Sequence, residues 1–183
     1  MRVIAGSRRS LPLKAPTGMD TRPTQDRTKE TLFNIINNNI YDCTFLDIFS
    51  GSGGIAIEAL SRGAGRAVLI EKNRNAIACI RENIKFTRFE NESECLEEDV
   101  FTAIPKLKGR YSFDIIFMDP PYKAGLEERV LETIAKNNIA HEDTIIIVEA
   151  ALDTGFDFVA DLGMEVYRTK KYKTNQHVFI RFI

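Results

Sequence analysis

From Thr44 onward the chain alternates strand-like and helix-like segments, and no other feature narrows its possible folds so far. TFLDIF (44–49) is a short apolar run ending in a glycine-rich turn. Residues 54–62 put Ile55, Ala59 and Leu60 at helical spacing, AVLIE (67–71) is a second strand, and NAIACIRENIKF (75–86) carries Ile77, Ile80 and Ile84 on one helical stripe. ESECLEED (92–99) reads as a third strand mainly by its position. FDIIFMD (113–119) is a fourth and TIIIVEA (144–150) a fifth, with the amphipathic LEERVLETIAK (126–136) between them. Strands separated by helices of this length imply right-handed crossovers and a parallel sheet. TIIIV is continuously apolar, as a strand covered on both faces should be. The tail differs, because MEVYRTKKY (164–172) and QHVFIRFI (176–183) are separated only by KTN. That gap admits a hairpin and no crossover helix, so an α/β sheet ending in an antiparallel pair is expected.

The first 43 residues stand outside this alternation. RVIAG (2–6) and SLPLKAP (10–16) suit a small hairpin, and TQDRTKETLFNIINN (24–38) suits a helix. Thr24 is the expected N-cap, Asp26 falls in the first turn, and Leu32, Ile35 and Ile36 would dock on the sheet. The expected organisation is therefore an N-terminal extension over 1–43 and a sheet domain over 44–183. Charge follows the same division. Residues 1–30 hold seven Lys or Arg against three acids and residues 164–183 hold five against one, on a chain whose net charge is −1. Two basic ends on an acidic body suit a localised polyanion site better than non-specific attraction. No apolar run approaches a membrane span and no secretion signal follows Met1, so a cytoplasmic protein is expected. Cys43, Cys79 and Cys95 share no close spacing, and the only histidines are His141 and His177. Neither a metal site nor nucleophilic catalysis through histidine is expected from that material.

LDIFSGSGGIAIEA (46–59) carries the first chemical signal. Asp47 closes a strand, Ser50, Gly51 and Gly53 form a turn a ligand can approach closely, and a helix follows. Gly51, Gly53 and Ala56 satisfy Gly-x-Gly-x-x-Ala, a weak pattern alone. Its context strengthens it, since Glu71 ends the next strand, where a carboxylate can accept both ribose hydroxyls. Asp99, at the end of the third strand, falls where an acid could meet an adenine amino group. NAD and S-adenosylmethionine both fit such a loop. Asp47 in its approach suits a cationic amino-acid tail better than a pyrophosphate.

DPPY (119–122) carries the second signal. Two prolines halt a β-forming run, stiffen the loop, and leave their carbonyls free as acceptors. An exocyclic amine is a poor nucleophile because its lone pair is delocalised into the ring. Asp119 and the Pro120 carbonyl could each accept one of its N–H groups and aim the lone pair at a methyl donor. Pro121 holds the turn, and Tyr122 could stack on the base.

These stretches together resemble class I S-adenosylmethionine-dependent methyltransferases. The N-terminal RVIAGSRRSLPLKAPTGMDTRPTQDRTKETLFNII, with ALSRGA, is similar to the bacterial 16S rRNA (guanine-N2)-methyltransferase family, the RsmD-like enzymes. Ser50 departs from that pattern, standing where Ala is more usual. The resemblance implies a Rossmann-like fold with a mostly parallel seven-stranded sheet, an antiparallel last strand and a hairpin-helix extension. It implies S-adenosylmethionine as cofactor, held by Asp47, Ser50, Gly51, Gly53, Glu71, Lys72, Asn73, Asp99 and Val100. Asp119 to Tyr122 would hold the target amine, and Arg8, Arg9, Arg22 and Arg27 would meet RNA phosphate. The implied substrate is the N2 of one guanine, position 966, of 16S rRNA in the small subunit or its assembly intermediate. A monomer is expected. An adenine-N6 methyltransferase and an NAD-dependent oxidoreductase remain alternatives, and the lysines at 170–173 match no motif that fixes a role.

Overall fold

The computed structural model describes residues 1–16, 23–121 and 125–183, with the side chains of 23–25 outside that description. Seven strands form one sheet: β1 (Thr44–Ile48), β2 (Arg66–Ile70), β3 (Ser93–Leu96), β4 (Phe113–Met118), β5 (Ala140–Ala151), β6 (Met164–Lys171) and β7 (Asn175–Phe182). Their order is β3-β2-β1-β4-β5-β7-β6. The first five are parallel to their neighbours, and β7 runs antiparallel to both β5 and β6. The parallel α/β sheet ending in an antiparallel pair is as the sequence predicts. The strand order also reverses direction after β1, which puts a crevice at the carboxyl ends of β1 and β4.

Helices α1 (Pro23–Ile35), α2 (Gly54–Ser61), α3 (Arg74–Thr87), α4 (Val100–Leu107) and α5 (Leu126–Asn137) cover the sheet. Alternate strand residues feed two cores. Phe45, Ala67, Leu69, Ile115, Phe117, Ile147 and Phe179 pack with Leu32, Phe33, Ile36, Ile57 and Ile80. Leu46, Ile48, Ile70, Ile116, Met118 and Val148 pack on the other face with Ile104, Leu107, Val130 and Ile134. This period-2 division is why the strands are apolar on both sides.

Several expectations are corrected in detail. Helix α1 begins at Pro23, so Thr24 lies inside it rather than capping it; proline suits a first helical position, whose N–H would have no partner anyway. Helix α4 was not anticipated, although Val100, Ala103, Ile104 and Leu107 are all buried at helical spacing. The interior Pro105 obscures that period. At the N-terminus the chain doubles back, with one antiparallel bridge between Arg2 and Pro12 and a 3₁₀ turn at Gly6–Arg8. A Cβ on Gly6 would lie 1.7 Å from the Ser61 carbonyl oxygen, so only glycine lets this turn sit on α2. Lys170 and Lys171 are exposed on β6, the edge strand. There they discourage pairing with a second sheet. No helix among the described residues is long and apolar enough to cross a membrane.

The extension is fastened to the sheet domain by a buried charge network. Glu58 of α2 is fully buried; its Oε2 accepts from the Ile4 N–H at 2.7 Å and its Oε1 from the Ala5 N–H at 3.0 Å. Lys29 Nζ of α1 lies 3.2 Å from Glu58 Oε2 and donates to the Arg2 carbonyl at 2.6 Å, while Arg62 Nε donates to Glu58 Oε1 at 2.8 Å.

Candidate active site

Four of the predicted residues, Asp47, Ser50, Glu71 and Asp119, come together because each ends or follows a neighbouring parallel strand. Backbone bonds continue the ladder past the strand ends: Asp119 N–H donates to Ile48 O, Ser50 N–H to Ile70 O, and Glu71 N–H to Leu96 O. Asp47, Ser50, Glu71 and Asp119 therefore lie along one carboxyl edge.

The glycine loop is built from beneath. Asp47, 1% exposed, accepts from the Ala56 N–H at 3.1 Å through Oδ2. It thus satisfies an otherwise free donor at the start of α2. Its Oδ1 takes no hydrogen bond among the described residues. Burial, with the Glu71 charge adding to it, pushes the Asp47 carboxyl up to about 7. Ser50 Oγ donates to the Asp47 carbonyl at 2.6 Å and reaches the Ile70 carbonyl at 3.3 Å, joining β1 to β2. Gly53 has φ +74°, and a Cβ there would press on Leu69 at 3.1 Å. Both the left-handed conformation and the close approach require glycine.

Glu71 is held by three backbone donors. Its Oε2 accepts from Gly51 N–H at 2.9 Å, and its Oε1 from Lys72 N–H at 2.9 Å and Asn73 N–H at 2.8 Å. This fixes the carboxylate beside the loop, with lone pairs left for a diol. Asn73 Oδ1 caps α3, accepting from Asn75 and Ala76 N–H. Asp99 caps α4 through the Phe101 N–H at 3.0 Å, and its Oδ2 accepts from Lys72 Nζ at 2.9 Å. Those contacts, the Lys72 ammonium first, hold the Asp99 carboxyl below its ordinary range. An adenine amino group would have to share Asp99 with Lys72. Val100 does not bring its side chain to the site, because it is buried in the core beneath α4.

Asp119 is the exception in this row. Its carboxylate accepts no hydrogen bond among the described residues, and its surface remains open to solvent. Crowding by protein atoms raises its proton affinity well above that of an ordinary carboxylate, and the charges of Glu149 and Asp47 add to the effect. The open surface screens part of this rise. Pro120 is buried behind it and Pro121 exposed. Tyr122 and Arg22 lie outside the described residues.

The expected RNA contacts divide. Arg9 and Arg27 line a cavity of about 380 Å³ with Arg2, Asp26 and Glu30, between the N-terminal turn and α1. Arg8 turns away. Its Nε donates to the Thr87 carbonyl at 2.7 Å and its guanidinium stacks 5.0 Å from the Phe89 ring centre. It closes the C-terminal end of α3, where a cation is favourable, and so is a packing residue.

Sequence reasoning passed over a further cluster at the same edge. Glu149 of β5, His177 of β7 and Tyr172 form a hydrogen-bonded chain beside Asp119. Its signal was present in the sequence, as an acid ending the continuously apolar run TIIIV.

With this geometry in view, comparison with known proteins is informative. A family model described as Conserved hypothetical protein 95 matches residues 1–181. "Putative rRNA methyltransferase YlbH" of Bacillus subtilis is 37% identical over 81% of this chain and 82% of its own. "Ribosomal RNA small subunit methyltransferase D" of Escherichia coli K12 is 33% identical over 87% of this chain and 79% of its own. Among solved structures, "Putative methyltransferase yhhF from Escherichia coli" superposes with a TM-score of 0.82 at 29% identity, covering 100% of this chain and 97% of that one.

Proposed function

The chain belongs to the family described as Conserved hypothetical protein 95, and we propose that it transfers a methyl group from S-adenosylmethionine to the exocyclic N2 of a guanine in 16S rRNA. The observation that carries this reading is the Asp119 carboxylate at the end of β4, which accepts no hydrogen bond among the described residues, alongside the loop built on Asp47 and Glu71. The names of both relatives support ribosomal RNA as the substrate class, and that of the Escherichia coli relative supports the small subunit. The residues present fit the cofactor. Asp47 offers a carboxylate oxygen that takes no hydrogen bond among the described residues to a cationic amino-acid tail, and Glu71 stands fixed for a ribose. A pyrophosphate would meet the Asp47 carboxyl group in the approach to the loop, which disfavours NAD.

S-adenosylmethionine would supply an electrophilic methyl on its sulfonium. The protein's part is to hold and deprotonate the amine. Asp119 and the Pro120 carbonyl accept its two N–H groups, which localises the nitrogen lone pair and aims it across the crevice. The amine nitrogen that takes the methyl would become acidic, the sulfur keeping the electron pair of the broken sulfur–methyl bond, and Asp119 would take the proton. A carboxylate with raised proton affinity is well suited to that transfer. Arg9 and Arg27 would hold phosphate at a distance from the chemistry.

The test is radiolabelled methyl transfer to small subunits from a strain lacking this enzyme, followed by mapping of the modified nucleotide. N2-methylguanine in 16S rRNA is the expected product. Label on an adenine amine, or none with active cofactor binding, overturns the reading.

A further inference from the structure

The Glu149 carboxylate has a more elaborate support than its position on a strand requires. Its Oε2 lies 3.1 Å from His177 Nε2, and its Oε1 accepts from the Asn175 amide. His177 is 1% exposed, and its Nδ1 lies 3.0 Å from the Tyr172 hydroxyl. Burial pushes the Tyr172 phenol up to about 12, so it keeps its proton and donates to Nδ1. With Nδ1 accepting from Tyr172, the Nε2–H of His177 is directed at Glu149, an assignment that follows from the network. The imidazole is also wedged edge-on against Phe117, with ring centres 6.1 Å apart. These contacts hold Glu149 in one orientation, and no Lys or Arg among the described residues neutralises it. Its side chain is 19% exposed, so the carboxylate still reaches the crevice.

The register places Glu149 beside Asp119. Met118 pairs with Val148 across the parallel strands β4 and β5, and Asp119 and Glu149 follow one residue later on each. Both share the sheet face of Phe117 and Ile147, and neighbouring strands are about 4.8 Å apart. The effect of the Glu149 charge on Asp119 agrees with that proximity. A held Glu149 carboxylate beside the open Asp119 carboxylate calls for a ligand edge with two adjacent donors.

We propose that Glu149 reads the target base: while Asp119 holds the amine, Glu149 accepts the hydrogen of the neighbouring ring nitrogen, so that the site takes guanine and rejects adenine and cytosine. The inference rests on the amine-methylation reading above and adds a source of base selectivity to it. Among the amino-bearing bases, only guanine has a ring N–H next to its amine. Adenine and cytosine present a lone pair there, which would face a carboxylate at short range. A site built around hydrogen bonds of this kind discriminates strongly, because the wrong partner leaves polar groups unpaired. His177, Asn175 and Tyr172 are positioning residues in this scheme.

The test uses full-length protein and reconstituted small subunits whose 16S rRNA carries, at the mapped nucleotide, either guanine or 2-aminopurine. The analogue keeps the amine but has an acceptor in place of the ring N–H. Wild-type enzyme should favour guanine in kcat/KM. Glu149→Gln, whose amide can donate to that acceptor, should shrink the guanine-to-analogue ratio at least tenfold while S-adenosylmethionine binding is retained. Tyr172→Phe, which loosens His177 without touching Glu149, should shrink it less and guards against a misfolded Glu149 variant. If both variants slow the two substrates equally, Glu149 is a structural acid and the inference is overturned, although guanine methylation stands. If wild type forms no N2-methylguanine, the methylation reading itself fails.

Discussion

Lys29 Nζ and Glu58 Oε2 lie 3.2 Å apart with side chains 5% and 0% exposed, joining the N-terminal helix to the helix that follows the glycine loop. Burial lowers the affinity of Lys29 for its proton, and the Glu58 charge opposes that. Glu58 also holds the Ile4 and Ala5 N–H groups, so one carboxylate organises the turn, α1 and α2 together.

Removing Glu58 would leave the buried Lys29 ammonium without its counter-charge and the Ile4 and Ala5 amides without their acceptor. Glu58→Ala is expected to cost roughly 3–5 kcal/mol of unfolding free energy, the range for breaking a buried ion pair. Lys29→Met should cost less, because Arg62 still pairs with Glu58. Urea denaturation of both variants checks the order. Equal stability of Glu58→Ala and wild type would show that the extension is not held this way.

Asp119→Ala should lower methyl transfer by about 10²–10³-fold or more, the scale for losing one preorganised group at a reacting centre. Cofactor affinity should be unchanged, since none of the loop contacts involves Asp119. Calorimetry with S-adenosylmethionine and a single-turnover methylation assay separate the two quantities. A fully active variant would remove Asp119 from the chemistry.

Much of this was legible in the sequence, for identifiable reasons. The strands and the two signals at their ends are local patterns. An apolar run followed by glycines or prolines shows in a single window, and so Asp47, Glu71 and Asp119 stand out as residues that share one sheet edge. Roles created by tertiary contact were hidden. Glu58 reads as a charged residue on an exposed helix until α1 and the N-terminal turn are brought onto it. Arg8 and Arg9 are adjacent letters with opposite fates, decided by which one faces α3. His177 gains meaning only because an antiparallel register sets it across from Glu149.

The Asp47 carboxyl gives the protein a pH signature. Its folded value is raised to about 7 from 3.8, so the folded state holds an extra proton between those limits. The stability it contributes is complete below the unfolded value and is lost as pH rises through about 7. Asp47→Asn keeps the acceptor for Ala56 without the charge. Its stability relative to wild type should rise between about pH 4 and 7 and then level, by at most on the order of 4 kcal/mol. Unfolding curves across that range provide the check. A difference independent of pH would mean that Asp47 is charged throughout.

Arg8 and Arg9 supply the last prediction, because the structure separates two residues that composition cannot. Arg9 and Arg27 are exposed at the N-terminal cavity, whereas Arg8 is bonded to the end of α3. If the cavity receives phosphate, Arg9→Ala and Arg27→Ala should each weaken binding to 16S rRNA and lower the slope of log affinity against log salt by about one. Neither should alter stability by more than about 0.5 kcal/mol, as befits exposed positions. Arg8→Ala should behave oppositely. It leaves the Thr87 carbonyl without its donor and removes a cation from Phe89, so it should lower stability by about 1–2 kcal/mol while leaving the salt slope intact. Filter binding at several salt concentrations, paired with urea denaturation of the same variants, measures both. A reduced slope in Arg8→Ala with unchanged stability would place the phosphate contact on the face of the turn that packs against α3.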